Sequence, residues 1–243
     1  MIALRPSEVH VWIVDFAGVS VADLLHDISP DERREAAAFA IESRRDDFIR
    51  SRAALRRLLS GYVQTPPADI GITRSATGKP ALATKTGLHF NLSHSGPHTL
   101  IALARDGRVG VDVQVVRHDA RCLDLARRFF HPQEYQRLQG VPAAELPSAF
   151  FDLWTLKEAW HKGTGAGIAG GLDRMIDADA DPPRIAASPH HSDADTWQLR
   201  RLSIAKDTRA AIAVEGNAAF QTRLARWNLL HEPCHEAVRE TAP

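Results

Sequence analysis

The sequence predicts an α+β protein of two lobes. Three observations predict it: an alternating apolar run at Val9 to Val14, a strong helix start at Ser29, and a second alternating run at Val109 to Val115 followed by helical and strand periodicities. A chain of 243 residues and 26.8 kDa accommodates one large domain or two smaller ones. With 30 Lys+Arg against 30 Asp+Glu and 44% hydrophobic residues, its composition is that of a globular protein with a sizeable core. The formal charge of +0 argues against a nucleic-acid binder working by broad phosphate neutralisation, so an anionic ligand must be met locally. Cys122 and Cys234 are the only cysteines and form no disulfide or zinc pattern, which fits a reducing, cytoplasmic setting. The N-terminal segment has no export signal and no run of eighteen apolar residues occurs, so no membrane span is expected.

Val9, Val11 and Ile13 alternate with His10, Trp12 and Val14, a strand with apolar character on both faces. At Ser29-Pro30-Asp31-Glu32 the Ser is an N-cap, the Pro suits the first helical position and the Glu closes a capping box. A helical region follows to about Ser60, with a break expected near Glu42 to Arg45, until Gly61, Pro66 and Pro67 end it. Thr77-Gly78-Lys79-Pro80 is a turn, and Asn91 to Pro97 reads as a second loop, both flanked by strands. Asp106-Gly107 between Leu100–Ala104 and Arg108–Val115 signals a hairpin. In its second strand the period of two sends Val111, Val113 and Val115 to one face and Gly110, Asp112 and Gln114 to the other.

Cys122 to Phe130 and Pro132 to Leu138 predict short helices, and Ser148 to His161 a longer one. Its core stripe is Ala149, Leu153, Leu156 and Trp160, while Lys157, Glu158, His161 and Lys162 fall within an arc of roughly 140° beside it. Gly163 to Gly171 ends that helix, Asp173 to Asp195 reads as a long loop, and Trp197–Ile204 with Arg209–Glu215 as a strand pair. The domain reading is a first lobe over 1–106, a second over 107–230 carrying a metal site, and a loose tail over 231–243.

A carboxylate at Asp112 on a Gly-flanked strand leaves room for an oxygen-ligated cation and a phosphate, although an Asp paired with an Arg or capping a turn is the alternative. Glu158 beside Lys157 and Lys162 suits a site where Mg²⁺ and ammonium groups neutralise a diphosphate, against the alternative of an exposed salt-bridged face. Arg44, Arg45, Arg50, Arg52, Arg56 and Arg57 crowd one helical stretch, for phosphate binding or for solvation. Gly163-Thr164-Gly165-Ala166-Gly167 follows a helix and is a helix stop rather than a dinucleotide loop. His231, Cys234 and His235 make an incomplete metal set, and Ser93-His94-Ser95 lacks the frame of a nucleophile elbow.

Gly78-Lys79-Pro80, Phe90 to Gly96, Gly110-Val111-Asp112-Val113 and the helix Phe150-x-x-x-Trp154-x-x-Lys157-Glu158-Ala159-x-x-Lys162 together resemble the 4′-phosphopantetheinyl transferase superfamily, in order and in spacing. The resemblance covers roughly Ser29 to Gly171 and is to the larger, monomeric type with two similar α+β lobes related by a pseudo-two-fold. It implies transfer of 4′-phosphopantetheine from coenzyme A to a serine hydroxyl of an apo acyl or peptidyl carrier protein of polyketide, nonribosomal-peptide or fatty-acid synthesis, releasing adenosine 3′,5′-bisphosphate.

The same resemblance implies Mg²⁺ on Asp112 and Glu158, with Glu158 also orienting or deprotonating the hydroxyl and Lys162 offsetting phosphate charge. It implies coenzyme A contacts from Arg52, Lys79, Ser93, His94 and Lys162. Glu134 matches a further acidic position, with helix capping as the alternative. Many relatives carry an acidic residue where this chain has Gln114, whose amide oxygen is a weaker, uncharged metal ligand. The segment from Gly163 to about Asp195 is the carrier-facing region by resemblance, with Ile168, Leu172 and Met175 as apolar contacts. The competing readings are a degenerate member that binds coenzyme A or a carrier without transfer, and an unrelated Mg²⁺-dependent phosphodiesterase.

Overall fold

The computed structural model describes residues 2–105, 107–165, 172–186, 196–233 and 239–240. In chain order the first lobe has strand β1 (Glu8–Asp15), helices α1 (Val21–Leu24), α2 (Pro30–Ala37) and α3 (Glu42–Val63), then strands β2 (Ile72–Arg74), β3 (Pro80–Leu82), β4 (Leu88–Ser95) and β5 (His98–Arg105). Strand β6 (Val109–Val115) opens the second lobe, followed by helices α4 (Cys122–Phe129), α5 (Pro132–Gln139) and α6 (Leu146–Thr164). After them come β7 (Ile176–Asp177), β8 (Arg184–Ile185), β9 (Trp197–Arg201), β10 (Thr208–Glu215), β11 (Gln221–Asn228) and β12 (Arg239–Glu240). The mixed α+β class and the two lobes agree with the sequence reading.

Two sheets lie back to back between two groups of helices. The first runs β12-β11-β1-β5-β4 and the second β6-β10-β9. Period-two alternation sorts each central strand between two cores. In β1, Trp12 and Val14 pack with α1 and α3, whereas Val9, Val11 and Ile13 meet Val111, Val113 and Ile212 between the sheets. In β10, Ala211 and Ala213 face the aromatic core of α6 while Ala210, Ile212 and Val214 face the first lobe.

Local signals are realised closely. The Ser29–Glu32 capping box forms with Pro30 at the helix start. The break in the helical region falls between Ala37 and Glu42, slightly ahead of the expected place. Helix α6 ends in the left-handed conformation at Gly165 (φ 77°), as a glycine stop should.

Four readings are corrected. Asn91 to Ser95 is not a loop but the second half of β4. Strands β5 and β6 form no hairpin, since they belong to different sheets; Asp106 lies outside the described residues. Gly107 serves close packing, because a Cβ there would come within 2.5 Å of the Glu215 carbonyl oxygen. The expected loop from Asp173 contains the small antiparallel pair β7–β8, with 187–195 outside the described residues. Finally, Gln221–Asn228, counted with the second lobe, is the parallel neighbour of β1 in the first sheet, and Arg239–Glu240 of the expected tail pairs with it.

Candidate active site at the lobe junction

The lobes are joined side chain to backbone. Alternate residues of β4 accept hydrogen bonds from alternate N–H groups of β6: Asn91 Oδ1 from Val111 (2.9 Å), Ser93 Oγ from Val113 (3.3 Å) and Ser95 Oγ from Val115 (3.0 Å). This ladder places Ser93 against Asp112. On the other side Gly110 admits α6, since a Cβ there would overlap the Ala159 carbonyl oxygen and lie 2.7 Å from Gly163 Cα. A strand of the second sheet, an edge strand of the first and the last turns of α6 therefore converge.

Lys162 is the cation at that point. Its Nζ donates to Asp112 Oδ1 at 2.5 Å and to Ser93 Oγ at 2.8 Å, while Ser93 Oγ donates to Asp112 Oδ1 at 2.8 Å. Asp112 is 1% exposed. Gln114 donates its Nε2 to Asp112 Oδ2 at 3.3 Å and accepts from Ser95 Oγ at 3.4 Å, so its amide oxygen faces Ser95. Glu158 is buried, and its Oε1 has no hydrogen-bond partner. Burial and the Asp112 charge hold the Glu158 carboxyl above its ordinary pKa, opposed by Lys162.

A cleft of about 300 Å³ opens here, lined by Thr77, Lys79, Asn91, Glu158, His161 and Lys162 among others. Lys79 Nζ donates to the carbonyls of Gly163 (2.5 Å) and Val109 (3.2 Å), fastening its turn to both elements of the site. Burial lowers its pKa to about 8.

The structure brings together Lys79, Ser93, Asp112, Gln114, Glu158 and Lys162, and separates the other predicted site residues from them. His94 follows Ser93 on a strand and points the other way. It lines a second cleft, of about 320 Å³, with Asp15, Asp47, Arg50, Ser51 and Thr99. Arg52 lies over the Phe48 ring (5.1 Å), and its buried Nε stands 3.9 Å from Glu32 Oε1, an ion pair without a hydrogen bond. Lys157 is not on an exposed ionic face: it is 1% exposed and ion-paired with Glu134 at 2.7 Å. Glu134 closes the cap at His131 as well. Leu172, expected as a partner contact, is 3% exposed and part of the interior, Met175 is half-buried, and Ile168 lies outside the described residues.

Sequence reasoning missed Asn91 and Ser95, whose period-two spacing with Ser93 becomes a signal once the segment is read as a strand. Among the described residues no group of three or more His, Cys, Asp or Glu side chains gathers in a metal-binding arrangement, and no helix is long and apolar enough to cross a membrane. The donors available to a cation at the junction are two carboxylates and an amide. They fit a divalent cation in one respect above all: an unpaired, buried Glu158 oxygen beside a second carboxylate is relieved by positive charge.

Comparison with known proteins covers both lobes. Residues 108–214 match the family described as the 4′-phosphopantetheinyl transferase superfamily, and residues 19–106 the family described as 4′-phosphopantetheinyl transferase, N-terminal. The chain is 33% identical over 222 residues to the 4′-phosphopantetheinyl transferase HetI of a Nostoc species, covering 88% of this chain and 91% of that protein. It is 29% identical to a phosphopantetheinyl transferase of a Thraustochytrium species, covering 88% of this chain and 81% of the other. To the 4′-phosphopantetheinyl transferase Sfp of Bacillus subtilis it is 29% identical, covering 60% and 64%.

Proposed function

The chain belongs to the 4′-phosphopantetheinyl transferase superfamily, and on that premise we propose that it transfers 4′-phosphopantetheine from coenzyme A to a serine hydroxyl of an apo acyl or peptidyl carrier protein. The observation that carries this reading is the unpaired, buried Glu158 oxygen beside Asp112, with the ammonium of Lys162 on the same carboxylate.

Asp112 and Glu158 are the residues that would hold Mg²⁺, which when bound supplies charge neutralisation and orientation of the diphosphate. Gln114 is the weaker ligand of the set, because its amide must turn for its oxygen to face the cation. The serine oxygen attacks the pantetheine-side phosphorus, and the bond from that phosphorus to the bridging oxygen breaks. Adenosine 3′,5′-bisphosphate leaves with the electron pair, and the serine proton passes to Glu158 or to water. Lys162 balances charge on the transferring and leaving phosphates, Ser93 would donate to them once its hydroxyl turns from Asp112, and Lys79 approaches from the turn over the cleft. His94 with Arg50 and Ser51 offers cationic and hydroxyl groups to a further phosphate of coenzyme A, and Arg52 supplies charge from the same helix. The protein acts as a monomer, with the complete site in one chain.

Intact-mass analysis of apo carrier proteins incubated with this protein, coenzyme A and Mg²⁺, beside Glu158→Ala, tests the reading. A phosphopantetheine adduct absent from the Glu158→Ala reaction is the expected result. Coenzyme A binding without an adduct on a broad carrier panel would instead establish a binder without transfer, the reading that the Gln114 amide favours.

A further inference from the structure

Lys157 and Glu134 stand apart from the cleft, each 1% exposed. An ammonium has three N–H donors. Lys157 gives them to Glu134 Oε2 (2.7 Å), the Leu172 carbonyl (2.9 Å) and the Arg174 carbonyl (2.5 Å). Glu134 also accepts from the N–H groups of His131 (2.9 Å) and Ile176 (2.7 Å). The Phe130 ring lies 5.1 Å from the ammonium. The pair is thus saturated by the backbone around it, with no donor left for a ligand, and it ties α6 to α5 and to the segment from Leu172 to Ile176.

Glu158, the next residue on α6, is in the opposite condition. Its buried Oε1 has no hydrogen-bond partner, so no bond at that oxygen orients the carboxylate. Its direction follows from the rotation of α6 about its own axis, about 100° on from Lys157. Toward β6 that rotation is limited by contact of Gly110 with Ala159 and Gly163. Away from β6 it is limited by the bonds of Lys157. Stability alone does not account for such a pair, because apolar replacements of a buried ion pair are often neutral or favourable.

We propose that Glu134 and Lys157 are positioning residues for transfer, holding α6 in the rotation that presents Glu158 to Asp112. The proposal rests on the reading of Asp112 and Glu158 as the cation-holding pair. It is tested on the full chain by titrating Mn²⁺ in the presence of coenzyme A, followed by electron paramagnetic resonance, alongside transfer kinetics and thermal unfolding. Lys157→Met and Glu134→Gln are expected to weaken Mn²⁺ binding about tenfold and to lower kcat, with KM for coenzyme A within about twofold of the parent. The double variant leaves no unpaired buried charge, and the same losses are expected of it even where a single variant fails to fold. Mn²⁺ binding within about twofold of the parent in every folded variant would overturn the proposal, as would failure of all three to fold, which marks a stability element only. A parent protein that binds no Mn²⁺ would overturn the cation-pair reading itself, a result distinct from unaffected variants.

Discussion

Gly110 and Ala159 touch backbone to backbone: the glycine has no Cβ where one would overlap the Ala159 carbonyl oxygen. This contact sets the distance between the strand that carries Asp112 and the helix that carries Glu158. Gly110→Ala must push α6 away from β6. The expected result is a loss of at least about 3 kcal/mol of stability and of all transfer activity, read by urea unfolding and by carrier mass. A variant with parental stability and activity would mean that the strand and helix separate without consequence.

Asp112→Ala and Glu158→Ala are expected to abolish transfer, because each removes one of the two carboxylates at the junction. Gln114→Ala is expected to be mild, costing less than about tenfold in kcat/KM, because its amide donates to Asp112 rather than offering its oxygen. Equal loss in all three would make Gln114 an essential ligand.

The His94 cleft is a separate prediction, since it lies on the other face of β4 from Ser93. His94→Ala and Arg50→Ala are expected to raise KM for coenzyme A by about five- to fiftyfold with kcat little changed, the pattern of lost ground-state binding. Steady-state kinetics with saturating carrier decides it, and a fall in kcat at constant KM would move the cleft from binding to chemistry.

Lys79 predicts a pH dependence. Its folded pKa of about 8 lies below the ordinary 10.5 because it is buried. Between those values the unfolded chain binds more protons at this side chain than the folded one, so the contribution to stability rises with pH across that window. Below pH 8 the penalty of keeping the ammonium buried is present in full. Lys79→Met is expected to flatten the slope of unfolding free energy between pH 8 and 10.5, measured by urea titrations; an unchanged slope would show that Lys79 titrates normally.

The ladder between β4 and β6 has its own test. Asn91→Ala leaves the Val111 N–H without its partner inside the lobe junction, which costs about 1–3 kcal/mol. Thermal unfolding reads that loss, and amide exchange at Val111 is expected to accelerate in the same variant.

The features legible in the sequence were those whose cause is local. The Ser29–Glu32 capping box needs only four residues, and the alternation that puts Asp112 opposite Val111 and Val113 needs only one strand. The spacing of Lys157, Glu158 and Lys162 gave their directions around α6 but not their surroundings. Burial of Lys157 depends on Glu134 and on carbonyls beyond the helix, and no periodicity encodes them. Asp106-Gly107 misled for the same reason. A turn signal reports what two residues allow, whereas antiparallel pairing with β10, about a hundred residues on, decides which sheet β6 joins. Parallel pairing of β11 with β1 spans nearly the whole chain and leaves no short-range mark.

That last pairing puts completion of the protein out of step with its synthesis. Strand β1 leaves the ribosome long before one of its two neighbours, β11, which is made only after β6 to β10 and the helices between them. Until then the nascent first lobe presents an open apolar edge, a template for wrong partners. A gene cut between β5 and β6 would free that edge permanently, so the two lobes of this enzyme, alike in build, are not two separable proteins.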